Sequence, residues 1–158
     1  MPKIYTVVFS GVAVTAQQDL FEITSTATRW LAIHAVELSQ STEVGDTAEE
    51  GLSILFRRGV GATSGTGGSS FTPVPRETNQ GAAGFTAEIN NTTRMTGGTI
   101  TTLISSNWNE RISPTSWDWS GTALMPIVGL SERFTVELAT TPADSITMSG
   151  TIWVEEIG

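Results

Sequence analysis

Two stretches near the C-terminus, Arg133-Phe134-Thr135-Val136-Glu137-Leu138-Ala139 and Ser145-Ile146-Thr147-Met148-Ser149-Gly150-Thr151-Ile152-Trp153-Val154-Glu155, alternate apolar and polar residues with a period of two. In the first, Phe134, Val136 and Leu138 oppose Arg133, Thr135, Glu137 and Ala139. In the second, Ile146, Met148, Gly150, Ile152 and Val154 oppose Thr147, Ser149, Thr151, Trp153 and Glu155. Successive side chains of a strand point to opposite faces, so this is the pattern of two strands with one buried face each. The link Thr140-Thr141-Pro142-Ala143-Asp144 is turn-like and predicts a hairpin between them. Gly150, inside the second stretch, marks a bulge or a close backbone approach.

Working outward, strand-like segments recur at Lys3 to Val14, Leu20 to Thr24, Arg29 to Ser39, Leu52 to Arg58, Phe85 to Ile89 and Thr99 to Ile104. Shorter pieces follow at Trp108 to Ile112, Trp117 to Trp119 and Leu124 to Val128. No helical periodicity exceeds two turns, and only Thr47 to Gly51 suggests a short helical turn. Arg29 to Ser39 is apolar on both faces until Glu37, which predicts a strand lying between two packed surfaces, either two sheets or a sheet and a neighbouring subunit. Nine or ten short strands with long excursions between some of them predict an all-β fold, an antiparallel two-sheet sandwich of jelly-roll type.

With 158 residues the chain suffices for one domain, residues 1–158, that buries about 70% of its unfolded surface. Thr and Ser together number 41 while charged residues make up only 15%, a balance that favours strands and turns over solvated helices. The net charge of −8 counts against nucleic acid and anionic membranes, because binding a polyanion needs clustered Lys or Arg. No cysteine is present, so neither disulfides nor thiolate-bound metal are expected, which suits assembly in a reducing cytoplasm. No window approaches the roughly 20 apolar residues of a membrane helix. The N-terminal run MPKIYTVVFSGVAV alternates where a signal peptide would hold a continuous apolar centre.

Between the fourth and fifth main strands lies Gly59 to Gly84, GVGATSGTGGSSFTPVPRETNQGAAG. A structureless connection of this length is uncommon inside a compact domain, so it is expected to be disordered or held by a partner, as a docking arm. Phe71, Pro73, Val74 and Pro75 are its candidate contact residues, the prolines lowering the cost of ordering it.

Candidates for chemistry are few. His34 has no second His or Cys with which to build a zinc site and reads as a buried or interface imidazole. Asp19, Glu22, Glu49, Glu50 and Asp118 are the available carboxylates, and their spacing identifies no acid–base pair. No catalytic residue, cofactor or metal is expected. Trp108, Trp117, Asp118 and Trp119 suggest either a sugar-binding surface or, more simply, aromatic anchors at a protein interface. Asn90-Asn91-Thr92-Thr93 matches the N-glycosylation pattern twice, by chance in a chain with no expected signal peptide.

The closing segment Gly129 to Leu138 and Met148 to Gly158, together with Gly67-Gly68-Ser69-Ser70-Phe71-Thr72-Pro73-Val74-Pro75, resembles small virion structural proteins of tailed bacteriophages. The better understood of these are similar to head-decoration, or cement, proteins. The resemblance implies a β-sandwich on the capsid exterior, assembled in the host cytoplasm, with the major capsid protein and further copies of itself as partners and a trimer as its state. It carries no catalytic residues. On this reading Phe71, Val74, Pro75, Trp117 and Trp119 are the contacts. The alternatives are a lectin-like module taking a glycan on the virion surface and a jelly roll associated with the tail or fibre.

Overall fold

The period-two pattern of the chain resolves, in a computed structural model that describes every residue except 44, 46 and 47, into twelve strands and no helix among the described residues. They are β1 (Lys3–Val14), β2 (Gln18–Thr24), β3 (Trp30–Gln40), β4 (Gly51–Val60), β5 (Ser69–Phe71), β6 (Val74–Pro75), β7 (Thr86–Asn91), β8 (Thr99–Asn109), β9 (Thr115–Asp118), β10 (Ile127–Val128), β11 (Glu132–Leu138) and β12 (Ile146–Ile157). All pairings are antiparallel. Sheet A has the order β10-β3-β12-β1-β6, with β9 also on β3; sheet B has the order β5-β7-β2-β11-β4-β8. The two pack as a sandwich, as the alternation predicts. The expected helical turn from Thr47 to Gly51 starts outside the described residues, and Gly51 opens β4.

Between the sheets, Tyr5, Val7 and Phe9 of β1, Phe21 and Ile23 of β2, Ile54 and Phe56 of β4, Phe134 and Val136 of β11 and Ile152 and Val154 of β12 form one continuous apolar core. Gly150 sits where a Cβ would lie 2.8 Å from the Phe9 ring and 3.1 Å from the Phe21 ring. The close approach expected there is made by aromatic side chains. The accompanying bulge falls on β1, between Phe9 and Val12.

Three expectations change. First, β11 and β12 do not form a hairpin: β11 lies between β2 and β4 in sheet B, and β12 between β3 and β1 in sheet A. Residues 139–145 therefore cross the roughly 10 Å between sheets. Alternation reveals a buried face without naming the neighbour. Second, within the chain β3 does not lie between two sheets: sheet B packs on its inner face alone. Ile33 faces Val154 and Ala35 faces Trp153, so His34 is an extra residue in a bulge. The bulge shifts the phase within the strand, so Leu31, Ile33, Val36 and Leu38 all point inward while Trp30, His34 and Ala35 stay on the outer face.

Third, residues 59–84 are not a free arm. Gly59 and Val60 end β4, Thr63 and Thr66 bridge to Thr96 and Thr93, β5 extends the edge of sheet B on β7, and β6 extends the edge of sheet A on β1. Arg76 N–H then donates to the Ile4 carbonyl at 2.9 Å, and the Tyr5 hydroxyl donates to the Gly81 carbonyl at 3.1 Å. The segment closes one side of the sandwich. Its glycines serve close approach: a Cβ on Gly65 would lie 2.5 Å from the Thr93 carbonyl oxygen, and one on Gly68 would overlap the Ile89 carbonyl oxygen.

Candidate functional site

The expected contact residues are dispersed. Phe71 packs against the core, Pro73 is buried at the crossover, and both border a cleft of about 520 Å³ beside Thr24, Glu88 and Arg133. Pro75 pairs with Tyr5 and is half-buried, whereas Val74, opposite Thr6, is exposed on the outer face of sheet A. Trp117 and Trp119 lie on the same side of their segment, and that side is the interior: both rings meet Phe56 edge-on, with centroids 5.2 and 5.1 Å away. Trp117 Nε1 donates to Ser106 Oγ at 3.0 Å, and buried Trp108 donates to the Ile112 carbonyl at 2.7 Å. Trp108 is thus closed to a ligand, and Trp117 and Trp119, half-buried, are engaged with the core.

The two sheets treat their outer faces differently. On sheet B, residues 61–68 and 92–98 lie across the strands and bury Asp19, Glu22, Thr135 and Glu137. Glu22 accepts from Ser64 Oγ at 2.6 Å and from the Gly65 N–H at 2.8 Å, with Arg133 Nε at 3.7 Å. Glu137 takes Arg57 and, at 2.6 Å, Arg94. Asp19 accepts from the Met95 N–H at 2.7 Å through Oδ2, while its other oxygen has no hydrogen bond. Burial, aided by the charges of Glu137 and Glu22, pushes its carboxyl up to about 7, against the partial counteraction of the Met95 bond and Arg57.

A carboxyl raised by folding stabilises the fold fully only below its unfolded value of 3.8, and this contribution is lost as pH rises through about 7. Asp19→Asn keeps an acceptor for Met95 and places amide hydrogens where wild type brings a further negative charge. The variant should match wild type near pH 4 and gain progressively to a plateau above pH 7. The difference between 3.8 and about 7 sets a ceiling of about 4 kcal/mol. Urea unfolding at several pH values checks this; a variant less stable than wild type at pH 8 contradicts it.

Sheet A leaves its outer face open. Register places Asp118, Ala35, Trp153, Thr6 and Val74 in one row across five strands. Around Trp153 a groove of about 510 Å³ is lined by Ile4, His34, Glu37, Arg76, Ser116, Asp118 and Ser120. His34 donates from Nε2 to Glu155 Oε2 at 2.6 Å. Asp118 accepts from the Ser120 N–H at 2.8 Å, and its hydrogen bonds to Ser120 hold its carboxyl below the usual range, with a smaller contribution from His34. At one end of the same face Trp30 and Ile157 are cross-strand partners, 49% and 40% exposed; Ile127 of β10 and Leu130 beyond it are also exposed.

The alternation in the sequence already put Trp153 and Glu155 on the polar face of their strand. What it lacks is the cross-strand register that brings Asp118, His34 and Arg76 to them. Among the described residues no group of three or more His, Cys, Asp and Glu is placed to hold a metal ion. Comparison with models of known families, with curated proteins and with solved structures finds no match to this chain.

Proposed function

We propose that this protein is a non-enzymatic virion subunit, a capsid decoration protein of jelly-roll type that docks on the exterior of the assembled head and stabilises it. The observation that carries the reading is the apolar end of sheet A, where Trp30, Ile127, Leu130 and Ile157 stand exposed on a sandwich whose core is otherwise closed. Aromatic and aliphatic groups that gain nothing by remaining in water are what a protein contact buries. The likeness of Gly67 to Pro75 and of the C-terminal segment to phage virion proteins supplies the partner, the major capsid protein. A subunit that binds only the expanded shell stabilises that state by mass action, and many copies act together.

The same reading includes self-association, with the trimer supplied by the resemblance. Its support is β8, eleven residues long, which among the described residues pairs as a strand with β4 alone and is free of Lys, Arg, Asp, Glu and Pro. An uncharged edge of this length is a template for pairing with another chain.

The test is co-sedimentation with expanded heads, using wild type and a Trp30→Asp, Ile157→Asp double variant. Each buried apolar side chain contributes about 1.5–3 kcal/mol, so losing both should weaken binding by at least about a hundredfold. Wild type should bind at stoichiometric copy number and the folded variant should stay in the supernatant. Equal binding of the two removes this end of the sandwich from the contact, and failure of wild type to bind heads while binding tails favours the tail-associated alternative.

A further inference from the structure

We propose that the groove around Trp153 is a binding site for a neutral saccharide. The site lies on the open face, four residues along β12 from Ile157 and so about 13 Å from the apolar end. It therefore remains accessible on a subunit docked by that end, and it stands whether or not the capsid reading holds.

Three features point to this ligand class. Trp153 is half-buried, lines the groove, and has small cross-strand neighbours in its row, Ala35 on one side and Thr6 on the other. Sugars stack their C–H faces on such rings. Its Nε1 makes no hydrogen bond among the described residues, in contrast to the indoles of Trp108 and Trp117.

The rim, next, mixes acceptors and donors of both signs: Glu37 and Asp118 against Arg76, with the hydroxyls of Ser116 and Ser120 between them. A polyanion would meet the carboxylates and a polycation would meet Arg76. Hydroxyl groups, which donate and accept, satisfy both kinds of partner. Arg76 makes no ion pair among the described residues, so its guanidinium is available to a ligand.

Two lining groups, finally, are positioned before any ligand arrives: Asp118 is held by Ser120 and His34 by Glu155, which lowers the ordering cost at that side of the groove. The volume of about 510 Å³ falls within the range of about 300–1,000 Å³ in which proteins hold small ligands. A single shallow site of this kind binds weakly, and a particle bearing many copies would multiply it.

The experiment is a neutral-glycan array probed with the purified protein, followed by titration calorimetry of the best-retained glycan against wild type, Trp153→Ala, Trp153→Phe and Asp118→Asn. Retention should fall at least tenfold in Trp153→Ala, partly recover in Trp153→Phe, and fall several-fold in Asp118→Asn. Val60→Thr, at an exposed position on sheet B outside the groove, should bind like wild type. Thermal unfolding of each variant separates loss of the site from loss of the fold, and Asp118→Asn, an exposed rim position, tests the site even if Trp153→Ala unfolds. No retained glycan, retention unchanged in Trp153→Ala, or groove-dependent capture of a Lys- or Arg-rich peptide with no sugar binding would overturn the proposal.

Discussion

Replacing residues 62–82 with a short Gly-Ser link is expected to unfold the domain or to remove most of its stability. The deletion takes away β5 and β6, the closing strands on one side of both sheets, together with the core contact of Phe71 and the burial of Pro73. It also removes Ser64 and Gly65, which satisfy the buried carboxylate of Glu22. Phe71, partly buried, contributes less than the roughly 1.5–3 kcal/mol of full burial and each lost hydrogen bond about 1 kcal/mol, while exposing Glu22 leaves Arg133 as its remaining charged partner. These losses rival the whole stability of a typical domain, about 5–15 kcal/mol. Circular dichroism and thermal unfolding of the shortened protein check the outcome. Retention of a cooperative transition within a few degrees of wild type would show that the segment is dispensable to the fold, as a free arm would be.

Phe56→Ala should have the next largest effect, about 3–5 kcal/mol of destabilisation. Phe56 is fully buried, stacks on Phe134 with centroids 6.5 Å apart, and receives the edges of Trp117 and Trp119 from the opposite sheet. With the Trp117–Ser106 hydrogen bond it anchors β9 to sheet B. Removing the ring leaves a cavity that two indoles cannot fill without leaving their rotamers, and β9, whose backbone pairs among the described residues with β3 alone, is the strand that should loosen first. Denaturant unfolding measures the loss, and the fluorescence of the indoles reports it locally: a red shift in the native state is expected. A loss below 1 kcal/mol with unchanged emission would mean that the aromatic cluster does not secure β9.

Much of this architecture can be read from the chain because alternation has one physical cause, the burial of one face of a strand. β1 begins and ends where its pattern does, and the inward residues of β11 and β12 are those the alternation names. Pairing is another matter. Nothing in residues 133–155 says that one strand joins each sheet, because a linker of this length can close a hairpin or cross the core. Bulges are equally silent: one extra residue at His34 makes β3 look apolar on both faces when only its inner face meets the other sheet.

The segment from Gly59 to Gly84 misleads for a related reason. Glycine signals flexibility or close approach alike, and at Gly65 and Gly68 only the positions of Thr93 and Ile89 decide between them. Of the candidate contacts, Val74 lies on the open face, while Trp117 and Trp119 belong to the interior. Trp153 was visible as a tryptophan on a Thr-rich face, but its significance depends on His34, Asp118 and Arg76, which come from three other parts of the chain.

We propose that this sandwich docks on a capsid by the end that carries Trp30, Ile127 and Ile157. A reconstruction of the particle at a resolution that places side chains tests it most directly. Density for this fold is expected on the head exterior, with those residues buried against the major capsid protein and Trp153 facing solvent. Density confined to the tail, or a head-bound subunit whose Trp30 and Ile157 face water, would contradict it.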